Sequence, residues 1–129
     1  MSMSSRRHTD EAAIRELVER WAKAVRDKDV EGILSNHSAD MLMFDVPPPV
    51  EAKGIDAYRT TWDSFFSWRD DPVVFEITDM HIVAGADVMR CAGVENGKRI
   101  ALEFRLTIGL RKTRDRWMVV HEHHSIPAA

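Results

Sequence analysis

Residues 99–125 read RIALEFRLTIGLRKTRDRWMVVHEHHS, two strand-length runs either side of a basic, polar turn. Side chains of a strand point alternately to its two faces. In the first run Leu102, Phe104, Leu106, Ile108 and Leu110 therefore share one face, and Glu103, Arg105, Thr107 and Gly109 the other. In the second, Trp117, Val119, His121 and His123 alternate with Met118, Val120, Glu122 and His124. If Arg114-Asp115 are the central residues of a tight hairpin, Thr107 lies opposite Glu122 and Arg105 opposite His124. A looser turn, shifting the register by one residue, sets His121 and His123 beside Arg105 and Thr107 instead. The tight register is preferred, although the turn sequence does not force it. It gathers Glu103, Arg105, Thr107, Glu122 and His124 on one face. Buried charge is costly unless paired, so this cluster is either a structural Arg105–Glu122 pair on a solvated face or the polar end of a pocket. The apolar Leu102–Leu110 face is expected to be covered by core or by a partner.

Working outward, strands are expected over Val73–Val83 and Val88–Glu95, turned by Gly85-Ala86-Asp87. Asn96-Gly97 is a hairpin signal, because both residues tolerate φ > 0. The N-terminal half has helical periodicity. Thr9-Asp10-Glu11 reads as a helix start, and Ile14, Leu17, Val18, Trp21 and Val25 form one apolar stripe. Asp29 can cap a short helix through Val30, Ile33 and Leu34. Residues 41–46 read as a short strand ended by Pro47-Pro48-Pro49. Gly54 opens a third helix with the stripe Ile55, Tyr58, Trp62, Phe65 and Phe66, stopped at Asp70-Asp71-Pro72. Three helices followed by an antiparallel meander make an α+β fold.

The 129 residues fit one domain spanning 1–129, with Met1 to Arg7 expected to be disordered. Lys and Arg total 18 against 21 Asp and Glu, for a net charge of -3. That balance provides no basic footprint for nucleic acid and no polybasic membrane segment. The apolar runs are far shorter than the ~20 residues of a membrane helix, and the N-terminal stretch is too short and polar for a secretory signal. Cys91 is the only cysteine, which excludes an internal disulfide and points to a reducing, cytoplasmic setting.

The stretch Trp117-Met-Val-Val-His121-Glu122-His123-His124-Ser125-Ile-Pro127 resembles the terminal strand of SnoaL-like proteins, of the nuclear transport factor 2-like superfamily. It is also similar to the hub domain of the calcium/calmodulin-dependent protein kinase. Arg20 to Ile33 resembles the first-helix region of bacterial ketosteroid isomerase. The order of motifs covers nearly the whole chain. The resemblance implies a strongly curved antiparallel sheet wrapped by helices into a cone with one internal pocket, and a homodimer formed through the outer sheet face. It does not carry over the steroid isomerase mechanism. Local comparison places Trp21 where that enzyme has its catalytic tyrosine, Val46 at its general base, with Asp45 one residue away, and Thr107 at its protonated aspartate. Valine cannot take a proton, and the other two are weaker donors in that role.

His124 is the leading acid–base candidate, since its intrinsic pKa of ~6.5 suits proton transfer at neutral pH. Glu122 would orient it or act as a base itself, and Asp45 would serve as a base if it faces inward. Arg105 would hold a carboxylate or enolate oxygen, with Thr107 and Val120 beside it. Trp21, Tyr58, Trp62 and Phe66, joined by Phe44 and Val46, would be the apolar wall. His121 and His123 have a metal-compatible spacing, but the resemblance accounts for them structurally, so neither a metal nor a cofactor is expected. Two functions follow, beside the reading of a dimeric protein with no pocket function of its own. One is a cofactor-independent isomerase, cyclase or dehydratase acting on a small organic molecule, with an anionic group seated on Arg105 if there is one. The other is a non-catalytic ligand-binding or assembly module.

Overall fold

The computed structural model describes residues 3–45, 51–67, 75, 77, 80–83, 86–95, 98–114 and 116–125. Three helices lie against a six-stranded sheet, the α+β arrangement expected. The helices are α1 (Met3–Arg26), α2 (Val30–Leu34) and α3 (Ile55–Ser67). The strands are β1 (His37–Phe44), β2 (Glu51–Lys53), β3 (Met80–Val83), β4 (Ala86–Glu95), β5 (Lys98–Thr113) and β6 (Arg116–Ser125). Their order across the sheet is β2-β1-β6-β5-β4-β3. All neighbours are antiparallel except β1 and β6, which run parallel.

Several boundaries differ from the sequence reading. The first helix begins at Met3 rather than Thr9, so Met3–Arg7, expected to be disordered, are helical. The first strand begins at His37, four residues before the apolar run that signals it. β2 has too little periodicity to read in advance; it pairs with β1 through Met43 and Ala52. Of the strand expected over Val73–Val83, Met80–Val83 form β3, while Phe75 and Ile77 lie outside any strand. Val46, the three prolines, the Asp70-Asp71-Pro72 stop and the Asn96-Gly97 signal lie outside the described residues. Glu95 and Lys98 pair on either side of that last signal.

Local chemistry explains the helix boundaries. Asp29 caps α2 by accepting from the Gly32 backbone N–H at 3.1 Å, which satisfies a donor the helix leaves open. Gly54 precedes α3 with φ of +87°, a conformation costly for any residue with a Cβ. Its N–H donates to the Met41 carbonyl at 2.7 Å, and its carbonyl accepts from Tyr58 N–H at 3.1 Å. α3 is thus pinned to β1 at its first turn.

The core lies between helices and sheet. Ile14, Leu17, Val18, Trp21 and Val25 of α1, with Tyr58 and Trp62 of α3, pack over Met41, Met43, Leu106, Ile108 and Val119. Leu106 and Ile108 thus point at the helices. This half of the Leu102–Leu110 stripe is core, not a surface for a partner.

Candidate functional site

The last hairpin places the polar residues. Its turn is tight as expected: Thr113 pairs with Arg116, and Arg114 takes φ of +52°. The register then slips. Leu110 pairs with Val119 but Gly109 with His121, leaving Val120 as an extra residue on β6. A bulge of this kind moves every following side chain to the opposite face. Glu122 comes to lie opposite Ile108 and His124 opposite Leu106, on the core side. Thr107 lies opposite His123 and Arg105 opposite Ser125. The tight turn and the shifted pairing therefore coexist, which neither sequence register allowed.

This corrects several assignments. Arg105 is exposed and on the face away from Glu122, so no Arg105–Glu122 pair forms and Arg105 cannot seat a ligand beside His124. Thr107 is on the same outer face for the same reason. Val120 occupies the bulge, half-buried, not a regular inward position. Phe44 also faces outward: Met41 and Met43 are buried, while Phe44 meets His121 and His123 edge-on at 5.3 and 5.7 Å. His121 is held by the Leu42 carbonyl, 2.9 Å from its Nδ1. Among the described residues no group of three or more His, Cys, Asp or Glu could hold a metal.

Inside, Glu122 is the centre, with no accessible surface. Tyr58 donates its hydroxyl to Glu122 Oε1 at 2.8 Å, and the same phenol oxygen accepts from Trp21 Nε1 at 3.1 Å. His37 Nε2 lies 3.2 Å from Oε1, and its ring stacks on Tyr58 at 4.9 Å. His124 Nε2 lies 3.5 Å from Oε2. That is an ion-pair separation without a formed hydrogen bond, and both atoms are buried and lack a hydrogen-bond partner among the described residues. Trp62 Nε1 is a third such atom. Trp62 and Trp21 meet edge-on at 6.1 Å, Trp62 stacks on Phe66 at 5.7 Å, and Trp21 lies 6.5 Å from the His124 ring.

Burial drives the Glu122 carboxyl upward, but contacts with His124 and His37 and the charges of both imidazoles outweigh it and hold it at about 2. Burial lowers His124, and the contact with Glu122, its charge and that of Asp45 more than reverse this, leaving His124 raised. Tyr58 is pushed well above its usual range by burial and by the Glu122 charge, so the phenol stays neutral. Asp45 thus acts electrostatically on the imidazole that Glu122 contacts. Sequence reasoning brought together Glu122, His124, Asp45, Trp21, Tyr58, Trp62 and Phe66. It missed His37 and gave Tyr58 only an apolar role. No periodic signal marks that histidine, because the alternation of β1 breaks between His37 and Met41, where Ala39 and Asp40 are both exposed.

A model of the SnoaL-like domain matches residues 14–129. The chain belongs to the SnoaL-like family. Among solved structures, this SnoaL-like chain is similar to a nuclear transport factor 2-like protein of unknown function from Pseudomonas putida KT2440. The two share 30% identity over 95% of this chain and 89% of that one, with a TM-score of 0.84. A candidate scytalone dehydratase from Novosphingobium aromaticivorans matches at 13% identity over 98% and 89% of the two chains, with a TM-score of 0.81. A candidate dehydratase of the same fold from Streptomyces avermitilis matches at 17% over 95% and 99%, with a TM-score of 0.75. The last two likenesses speak for the fold alone. No curated protein matches the sequence. The SnoaL-like chain also carries a groove of about 220 Å³ lined by Leu17, Arg20, Trp21 and Asn36 among others. It includes none of Tyr58, Glu122 and His124, but it borders their cluster through Trp21.

Proposed function

We propose that this SnoaL-like chain binds a small, uncharged ring compound against Trp21, Trp62 and Phe66 and catalyses a cofactor-free proton transfer on it, as in isomerisation or dehydration. The observation that carries the reading is the Glu122–His124 contact: a buried carboxylate, saturated on one oxygen, presents the other to an imidazole. The His124 side chain keeps 14% of its surface accessible and Glu122 none, so His124 is the residue that meets substrate. Glu122 orients it and stabilises its protonated form, the role a carboxylate plays behind a catalytic imidazole. With Nε2 turned to Glu122, Nδ1 is the nitrogen left for chemistry.

Nδ1 would take a proton from the carbon beside a carbonyl, and the C–H electron pair would pass to the carbonyl oxygen as an enolate. Trp62 Nε1–H, buried and without an acceptor among the described residues, is the donor available for that oxygen. Isomerisation would return the proton to a different carbon; dehydration would return it to a β-hydroxyl, which leaves as water. Asp45 and Glu122 disfavour an anionic ligand here, and Arg105 is not present to receive one. The dehydratase-like neighbours share the fold that would support this chemistry. The homodimer implied by the resemblance would use the outer face bearing Phe44, Arg105, Thr107 and His123. The lone Cys91 supports a cytoplasmic setting, and no helix among the described residues is long and apolar enough to cross a membrane.

The test is deuterium exchange. Cyclic ketones and β-hydroxy ketones are incubated with protein in D2O and followed by proton NMR. Exchange or water loss that falls at least ~100-fold in His124→Gln supports the reading, a loss typical of removing a general base. Binding without exchange would favour the non-catalytic module, and exchange unaffected by His124→Gln would overturn the assignment.

A further inference from the structure

His37 belongs to no sequence motif, yet its side chain has no accessible surface and meets the carboxylate that orients His124. Its Nδ1 lies 2.9 Å from the Ser35 carbonyl oxygen. A carbonyl can only accept, so Nδ1 carries a proton. Nε2 faces Glu122 Oε1 at 3.2 Å. That oxygen already receives the Tyr58 hydroxyl, because the phenol oxygen is engaged by Trp21 Nε1–H. An ionised carboxylate is acceptor-only. A hydrogen bond from Nε2 to it therefore needs a second proton on the ring.

We propose that His37 is a doubly protonated positioning residue, whose charge balances Glu122 and leaves His124 free to gain and lose a proton. This rests on reading His124 as the acid–base group. The charged groups facing the two imidazoles come from separate elements. His37 meets Glu122 of β6 and the neutral Tyr58 of α3. His124 meets Glu122 on its own strand, Asp45 just past β1, and the Trp21 ring of α1. With His37 charged, the cluster carries a net negative charge while His124 is neutral and none once His124 is protonated. Taking up a proton from substrate then discharges the cluster. Without the His37 charge, two carboxylates would face one imidazole and hold its proton fast, removing it from use as a base.

The anchor for His37 is local. Ser35 and Asn36 form the turn between α2 and β1, and the Asn36 carbonyl accepts from Val119 N–H at 2.7 Å. That bond fixes the start of β1 beside β6, three residues before Glu122.

The test uses the full chain without substrate. Long-range 1H–15N spectra of the histidine rings are recorded from pH 5 to 9. At neutral pH both His37 nitrogens are expected at protonated shifts. His37→Gln is expected to raise the His124 midpoint by about one pH unit, since a compensating charge is lost. His37→Lys, which restores a cation, should bring it back. An unprotonated Nε2 on His37 at neutral pH overturns the proposal, as does an unchanged His124 midpoint in folded His37→Gln. If His37→Gln does not fold, the wild-type spectrum alone decides. The deuterium exchange experiment judges His124 independently, so failure of one reading is distinguishable from failure of the other.

Discussion

Tyr58 shows how one buried hydroxyl ties packing to chemistry. It accepts from Trp21 and donates to Glu122, so it links α1, α3 and β6. Tyr58→Phe removes both bonds with almost no change of shape and leaves an indole N–H unpartnered. A loss of roughly 1–3 kcal/mol is expected, the cost of orphaning a buried polar group, read from urea unfolding. Glu122 makes the same network pH-dependent. Its folded value of about 2 lies below the ordinary 4.5, so its stabilisation is present above 4.5 and is lost as pH falls towards 2. His124 is raised above 6.5, so its share is present below 6.5 and is lost as pH rises through the folded value. The pair therefore contributes most between pH 4.5 and 6.5. Urea midpoints from pH 3 to 9 should show a maximum there, flattened in Glu122→Gln.

At the scale of elements, a single extra residue decides the site. Val120 separates the pairs Leu110–Val119 and Gly109–His121. Were Val120 to take a place in the ladder opposite Gly109, strict alternation would turn Glu122 and His124 outward and His121 and His123 inward; deleting it instead joins Val119 to His121 and leaves Glu122 opposite Ile108 on the core side. Val120 deletion should therefore keep His124-dependent deuterium exchange in protein that still folds, and loss of exchange in folded protein would show that the bulge sets more than the facing of these side chains. The turn before α3 is the second device. Gly54 holds φ of +87° while its N–H reaches Met41. Gly54→Ala should cost roughly 1–2 kcal/mol, the penalty of a Cβ in left-handed backbone, seen as a lower thermal midpoint. Its neighbourhood imposes nothing further, since a Cβ there would approach only the Ala39 carbonyl, at 3.7 Å.

For the whole molecule, the sheet has two chemically distinct faces. The inner one carries Leu106, Ile108, Val119 and the buried carboxylate. The outer one carries Arg105, Thr107, His121, His123 and Phe44, with edge-on ring contacts between Phe44 and both histidines. If that outer face forms the proposed homodimer, sedimentation at micromolar concentration gives a dimer, and Thr107→Glu, a charge placed in the interface, gives monomers. A monomeric wild type would rule the interface out.

Periodicity made the architecture legible. The helical stripes of α1 and α3, the Asp29 cap and the alternation of β5 depend on local spacing, which a single chain displays directly. The aromatic residues of the site were legible for the same reason, since a stripe at helical spacing must be buried. The orientation of β6 was not legible. The alternation of Trp117 to His124 is a local property, but the bulge at Val120 lies where β6 pairs with both β5 and the parallel β1 while Val119 is buried in the core. Only tertiary packing sets that compromise. His37 was hidden likewise, because its role comes from β1 lying alongside β6, where the Asn36–Val119 bond brings an unremarked histidine to Glu122.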